Sequence, residues 1–497
     1  MTSAGKLTTL TVHPSFTIAP VDERIFGGFL EHLGRAVYGG VLDPTSAHAD
    51  AHGCRRDVLD ALAALRMTAM RYPGGNFVSG YHWRDGIGPP GERPTVREPA
   101  WKSVETNRFG THEFLDLCER MGWTPMLAVN LGTGTPEKAA DWVEYCTGSF
   151  DTRLVDERRA NGRAEPWTVP LWCLGNEMDG SWQLGHSTAR EYGVRAQQAA
   201  MQMRLVNPAI ETVACGSSMV DAATYGTWDR EVLEVAGDQA DFLSLHRYVG
   251  NLAGNLDDYL AVGAAIDHQI AEADAICRAV QATLRSAKRA QLCFDEWNVW
   301  YRNFDMDGGW AVAPPLLEEH YDLADALVVA QFLMAFIRRA DVVKIANLAQ
   351  VVNVLAPMLT RGDELLLQST YHAFRMISQR RDGTALHVAH DGPTRSSAHG
   401  TVAVVDAAAV LADDALHVFV VNRSPETSAP VRLLLPGAEP GVLRSGELLW
   451  ADRHDAANTW DRPDAVTPQP FHVNRTTDGE RIWEMPPHSF AALTFER

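Results

Sequence analysis

Polar side chains in this sequence gather directly after short apolar runs, and two of them are glutamates. The run Val169–Gly175 delivers Asn176 and Glu177, and the run Gln291–Glu296 ends in Asp295 and Glu296. A carboxylic acid that protonates a leaving oxygen, paired with a carboxylate that stabilises or attacks an oxocarbenium-like carbon, is the equipment for breaking a glycosidic bond. One glutamate at a strand end is more often solvated or salt-bridged, and His246 alone would more often be a satisfied core histidine. Here nearly every such run ends the same way. Glu31 and His32 follow the first, Arg71, Tyr72 and Asn76 the second, and Asn130 the third. His246, Arg247 and Tyr248 follow the sixth, and Asn347 and Gln350 the eighth. That repetition favours one shared site. Asn176 could bind a sugar hydroxyl next to the reacting carbon. Trp83, Trp182, Trp297 and Trp300 lie in or beside these loops, where indole faces could stack on sugar rings.

Such a site needs a scaffold that collects strand ends. From about residue 20 to 365, eight apolar segments alternate with helical patterns. The segments are Gly27–Glu31, Met67–Arg71, Pro125–Asn130, Val169–Gly175, Thr212–Gly216, Phe242–His246, Gln291–Glu296 and Val343–Asn347. Between them lie amphipathic stretches such as Arg56–Leu65, Thr111–Met121, Ser187–Val206, Ile266–Ala287 and Ala324–Arg339. Near-continuous apolar strands separated by helices predict a parallel sheet covered on both sides. Eight repeats predict closure into an α/β fold, the (β/α)8 TIM barrel, with chemistry at the C-terminal strand ends. A doubly wound sheet would carry a glycine-rich phosphate fingerprint after its first strand, and EHLGRAVYGG is not one. In a closed barrel the fourth and seventh strands lie across from each other. Glu177 and Glu296 are therefore expected to meet over the mouth at about 5 Å.

After about residue 370 the texture becomes alternating and turn-rich, in Thr401–Val405, Leu416–Val421, Val431–Leu435, Gly446–Trp450 and Phe490–Phe495. This predicts a C-terminal all-β sandwich of jelly-roll type. Lys6–Val12 alternates in the same way and is expected to cross over and pair there. The expected organisation is an N-terminal strand segment over 1–18 that belongs to the sandwich, a catalytic barrel over 19–368 and the sandwich over 369–497.

Composition narrows the classes of function. Acidic residues outnumber basic ones, 63 against 44, for a formal charge of -19. That field disfavours nucleic acid and anionic membrane as partners and leaves neutral substrates open. No apolar stretch of signal-peptide form opens the chain, and the longest apolar run, Ala326–Ile337, falls short of the roughly 20 residues that span a bilayer. Seven scattered cysteines without a C-x-x-C pair fit buried free thiols in a reducing cytoplasm. There is no H-E-x-x-H, Walker A or G-x-S-x-G sequence. His48 and His52, or Glu31 and His32 with Asp43 and His246, are conceivable metal ligands, but no spacing rule supports them. No metal and no cofactor are expected.

Several blocks carry a resemblance. FGGFLEHLGRAVYGGV (26–41), RYPGGNFVSGYHWRDGIGP (71–89), LGNEMDGSWQLGH (174–186), SLHRYVGN (244–251), FDEWNVWY (294–301) and NLAQVVNVLAP (347–357) resemble the motifs of the α-L-arabinofuranosidases of glycoside hydrolase family 51. The match runs in order from the first barrel strand to the eighth. The Asn-Glu pair is common to many barrel glycosidases, whereas the FGGFLEH, RYPGGNFVSGYHW and DEWNVWY blocks are far more specific.

The resemblance implies that Glu177 is the general acid/base and Glu296 the nucleophile. It also implies that Glu31, Arg71, Asn76, Asn176, Tyr248 and Gln350 bind the furanose or orient the carboxylates. His246 and Trp300 are taken as substrate-binding beside them. The reaction implied is exo-acting release of terminal α-L-arabinofuranosyl units from arabinan, arabinoxylan or arabinogalactan fragments by retaining double displacement. A carbohydrate is then the expected partner, and by resemblance the chain is a cytoplasmic homo-oligomer, a hexamer. Rival readings on the same residues are a barrel glycosidase for β-xylosides or β-glucans, a non-catalytic carbohydrate-binding protein, and a metal-dependent sugar isomerase or hydrolase.

Overall fold

Strands only a few residues long persist when both faces are covered, and Ala69–Tyr72 and Leu171–Leu174 are buried at every position. The computed structural model describes residues 6–436, 441–475 and 481–497. It opens with β1 (Thr8–Pro20). Eight further strands follow: β2 (Gly27–Phe29), β3 (Ala69–Tyr72), β4 (Thr124–Ala128), β5 (Leu171–Leu174), β6 (Glu211–Cys215), β7 (Phe242–Val249), β8 (Gln291–Val299) and β9 (Val343–Ala349). They pair in parallel around a ring in which β9 returns to β2, so the barrel closes as expected. Each strand overlaps one of the apolar segments read from the sequence. Met126, Leu171, Cys173, Val213, Phe242, Cys293 and Ile345 fill the interior as one apolar plug. The polar mouth rests on that layer.

Local signals place the surrounding helices. Thr188 and Glu191 form a capping box at the start of helix Ala189–Val206. Gly122, in the left-handed region at φ 68°, ends helix Thr111–Met121. Helix Leu323–Arg338 holds the longest apolar run, and every residue from Leu323 to Ile337 is buried. The cause is its position. It packs on β8 and helix Gly263–Leu284 on one side and on the C-terminal strands on the other. Among the described residues, no helix is long and apolar enough to cross a membrane.

The C-terminal region forms a ten-stranded sheet in which β1 lies between Thr384–Asp391, antiparallel, and Ala429–Leu434, parallel. Leu10, Val12, Val418, Val431, Leu493 and Phe495 share its separate apolar core. Strand Thr384–Asp391 lies outside the segments read from the sequence. Only its Ala385 and Leu386 are fully buried, so no run of alternating apolar residues marks it. Helix Ser369–Ser378 continues past the point where helical texture fades in the sequence. Its buried Tyr371, Phe374 and Ile377 belong to a face packed on Leu323–Arg338.

A buried ionic cluster ties barrel to sheet. Asp406 accepts from Arg423 Nη2 at 2.7 Å and from Arg338 Nη1 at 3.3 Å, and Arg338 also reaches Asp267 at 2.8 Å. Arg423 Nε donates to Gln331 at 2.8 Å. Removing one partner strands the others as uncompensated buried charge. Asp406→Ala is expected to destabilise the protein by about 3–5 kcal/mol, read as a lower midpoint in denaturant-induced unfolding.

Candidate active site

Arg71 is the innermost polar group of the mouth and is fully buried on β3. Its Nη1 donates to Glu296 Oε2 at 2.9 Å, its Nη2 to Asn176 Oδ1 at 2.7 Å, and its Nε lies 3.3 Å from Asp295 Oδ2. The Phe29 ring closes the remaining face, 4.4 Å from the guanidinium carbon. The chain then turns through Gly74 and Gly75, where there is little room for a side chain. A Cβ on Gly74 would lie 2.7 Å from Glu31 Cγ, and one on Gly75 would lie 3.3 Å from Glu296 Oε2.

The two glutamates arrive from opposite walls. Glu177 follows β5 at φ 44°, and its Oε1 pairs with His246 Nδ1 at 2.8 Å while its Oε2 accepts from Trp182 Nε1 at 2.6 Å. Glu296 Oε1 accepts from Tyr248 OH at 2.8 Å. One oxygen of each glutamate and a ring nitrogen of His246 lie within 4.8 Å of one another. On β7, His246 and Tyr248 point to the same side, as alternation demands. On β8, alternation would send Asp295 and Glu296 to opposite faces. A register shift between Cys293 and Glu296, relative to β7, breaks the rule, and both carboxylates reach the mouth.

Charge in this enclosed space shifts protonation. Burial raises the Glu177 carboxyl, the hydrogen bond from His246 opposes that, and the charge of Glu296 adds to it. Burial pushes Glu31 up to about 8, and Glu296 again contributes. Burial acts to lower His246, but the charge of Glu296 and the hydrogen bonds to Asp295 and Glu177 raise it well above the usual histidine range. Burial also opposes ionisation of Asp295, yet the Arg71 guanidinium holds it down at about 2. Arg71 and His246 thus carry positive charge against Asp295 and Glu296, while Glu177 and Glu31 are the groups pushed toward the neutral form.

The remaining expected residues gather around this centre. Glu31 accepts from Gln350 Nε2 at 3.0 Å, and Gln350 Oε1 in turn accepts from the Glu31 backbone at 2.7 Å. Phe77 N and Trp101 Nε1 each donate to Glu31 Oε1 at 3.1 Å. Asn76 lies 3.5 Å from Asn176 Nδ2. Trp300 meets the Tyr248 ring edge to face at 5.5 Å. All of these except Phe77 and Asn176 line a cleft of about 700 Å³, with Trp182, Leu184, Met219, Arg247 and Leu317 further along its walls.

Two of the four tryptophans do not belong there. Trp297 is fully buried against Phe332 and Phe336, behind the barrel wall. Trp83 stacks on Trp142 and lines a separate cavity. His32 pairs with Tyr72 OH and Glu105 instead of the glutamates, and His48 and His52 lie on a loop ahead of helix Arg56–Ala64. Asp43 closes its own turn by accepting from Thr45. Asp295 and Trp101 are the functional neighbours that sequence reasoning passed over. Asp295 stood beside Glu296 where alternation points it away, and Trp101 lies in the turn of a short hairpin, Val96–Glu98 with Ser103–Glu105, outside the barrel strands.

The Glu177, His246 and Glu296 atoms are close enough to share a small cation, but each carboxylate oxygen already accepts from a protein donor. Trp182 and His246 hold Glu177, while Tyr248 and the Arg71 guanidinium hold Glu296. The site supplies its own cation and suits proton transfer between unlike carboxyl groups.

Comparison with known proteins agrees with this geometry. Residues 61–254 match the family model described as the α-L-arabinofuranosidase 1 domain, and residues 295–489 match the α-L-arabinofuranosidase C-terminal domain. The chain is 42% identical to an intracellular exo-α-(1→5)-L-arabinofuranosidase of Streptomyces lividans, over 97% of this chain and 74% of the relative. It is 39% identical to an exo-α-(1→6)-L-arabinofuranosidase of Bifidobacterium longum, over 97% and 96% respectively. A solved family 51 α-L-arabinofuranosidase from Bifidobacterium longum superposes with a TM-score of 0.93 at 36% identity, covering 98% of this chain and 99% of that one.

The charge pattern carries its own test. Asp295→Asn removes one of the groups that raise His246, so the imidazole midpoint followed by ¹⁵N NMR should fall. In Glu296→Gln the Glu31 carboxyl, followed by ¹³C NMR, should titrate below its value of about 8, because a neighbouring negative charge is gone.

Proposed function

The chain belongs to the α-L-arabinofuranosidases of glycoside hydrolase family 51, and from that premise we propose that it removes terminal non-reducing α-L-arabinofuranosyl units from arabino-oligosaccharides with retention of configuration. The observation that carries the stereochemical part is the 4.8 Å cluster of Glu177, His246 and Glu296. A separation near 5 Å suits direct attack by one carboxylate, whereas inversion needs about 6.5–9.5 Å to admit a water between the pair.

Glu296 is the nucleophile in this reading. Arg71 and Tyr248 direct donors at its two oxygens, which aligns the carboxylate and stabilises its charge before attack. Glu177 donates a proton to the departing oxygen as the bond from the anomeric carbon to Glu296 forms. Burial and the charge of Glu296 hold that proton in place above the usual carboxylate range. Once Glu296 is esterified its charge is lost, and Glu177 becomes a better anion. It then takes a proton from the water that attacks the same carbon and releases Glu296. Glu31, Asn76, Asn176 and Gln350 surround the carboxylates with donors and acceptors for furanose hydroxyls, which fits a site for one terminal sugar.

Seven free, buried cysteines suit a reducing compartment. With the likeness to a relative named intracellular, they support a cytoplasmic location.

Glu296→Ala should abolish turnover of an aryl α-L-arabinofuranoside, and added azide should then give the inverted glycosyl azide. Near-normal activity in that variant sinks the nucleophile assignment. Glu177→Ala should lose far more activity on poor leaving groups than on activated aryl ones, and azide should give a product of retained configuration. Equal losses on both substrate types count against the acid role.

A further inference from the structure

Trp182 differs from the other tryptophans near the mouth. It is 49% exposed in the cleft, yet its indole Nε1 donates to Glu177 Oε2 at 2.6 Å. The fold builds this contact. Gly180 N donates to Glu177 O at 2.9 Å and Gln183 N to Gly180 O at 3.0 Å, so the chain doubles back and lays the ring over Gly180. A Cβ at position 180 would lie 2.4 Å from the indole. Flanking side chains clamp the turn. Asp179 accepts from Ser218 N and Oγ at 3.0 Å each, and Gln183 Nε2 donates to Ser79 Oγ at 2.5 Å.

The other Glu177 oxygen, Oε1, is already paired with His246 Nδ1 at 2.8 Å on the cleft wall, and His246 is only 3% exposed. The departing oxygen of a substrate must therefore approach Oε2, where the indole sits. An indole N–H only donates. It can bond to a lone pair of Glu177, and it cannot accept the proton that Glu177 must carry as an acid.

We propose that Trp182 is a positioning residue that times the proton on Glu177: the bound leaving group displaces its N–H from Oε2 for the acid step, and the N–H returns for the base step. In the first step the proton passes from Oε2 to the departing oxygen as the glycosidic bond breaks and the bond to Glu296 forms. The leaving group then diffuses away and the indole settles on the carboxylate. In the second step water attacks the anomeric carbon, its proton goes to Glu177, and the ester bond to Glu296 breaks. This inference rests on the acid/base assignment of Glu177.

The groups that face Glu177 are His246 and Tyr248 from β7, Glu296 from β8 with Arg71 of β3 behind it, and Trp182 on its own loop. Trp182→Phe keeps the first four in place and removes one donor that favours the anion. The Glu177 midpoint should rise, so the alkaline limb of kcat/KM should move up by about one pH unit. On a dinitrophenyl arabinofuranoside, where breakdown of the glycosyl-enzyme limits turnover, kcat should fall about tenfold while kcat/KM falls much less. Gly180→Ala, which drives the ring off Glu177 without removing the indole, should move the limb in the same direction. A limb unmoved in either variant overturns the proposal, as does an equal fall in kcat and kcat/KM. Glu177→Ala separates the two levels. If it loses poor leaving groups selectively while the limb stays put in Trp182→Phe, only the role of Trp182 fails. If it does not, the assignment of Glu177 fails first.

Discussion

A buried guanidinium has to be met by negative charge, and the mouth of this barrel is arranged around that requirement. Arg71 has no exposure to water and reaches Glu296, Asn176 and Asp295 at once. The pairing offsets a desolvation cost that would otherwise be large, and it fixes where two carboxylates sit. Asp295 in turn engages His246, and His246 engages Glu177. Four charged groups then balance, two of each sign. Burial first, and then the negative charge of Glu296, push Glu31 and Glu177 toward protonation. Burial and neighbouring charge thereby make unlike partners of two chemically identical glutamates.

The barrel makes this arrangement rigid. An apolar plug below, the closed ring of parallel strands and the helices outside leave the mouth residues little room to move. Departures from regularity occur where the site needs them: the register shift on β8, the left-handed backbone at Glu177, and the glycines at 74 and 75 that let the chain pass within contact of two carboxylates. Trp182, on a loop, combines 49% exposure with a hydrogen bond to Glu177, the group proposed to give up and regain a proton.

Much of the barrel was legible because a parallel strand buried on both faces has a simple signature, an apolar run between helical stretches. All eight runs became strands, and most of the polar residues that follow them became the mouth, while His32 turned to Tyr72 and Glu105 and Asn130 to its own loop. Periodicity served less well where burial is partial. Thr384–Asp391 buries only two residues fully and carried no pattern. Proximity along the chain misled for Trp297, which sits next to Glu296 yet points outward to Phe332 and Phe336, and for Trp83, which stacks on Trp142. Neither indole has a feature in its own sequence neighbourhood that states which way it points.

The sequence by itself determined which residues stand at the strand ends. Hydrophobic runs set where strands stop, and the polar residues beyond them follow from that. It also determined the family through blocks too specific to arise from packing needs. Only the tertiary structure decided how those residues differ in charge and access. The separation of Glu177 and Glu296, the turning of Asp295 into the site and the contact of Trp182 with Glu177 depend on strands and loops more than a hundred residues apart in some cases and on a register shift in others. Electrostatic shifts depend on distance and burial in three dimensions, and neither is a property of a residue's neighbours along the chain.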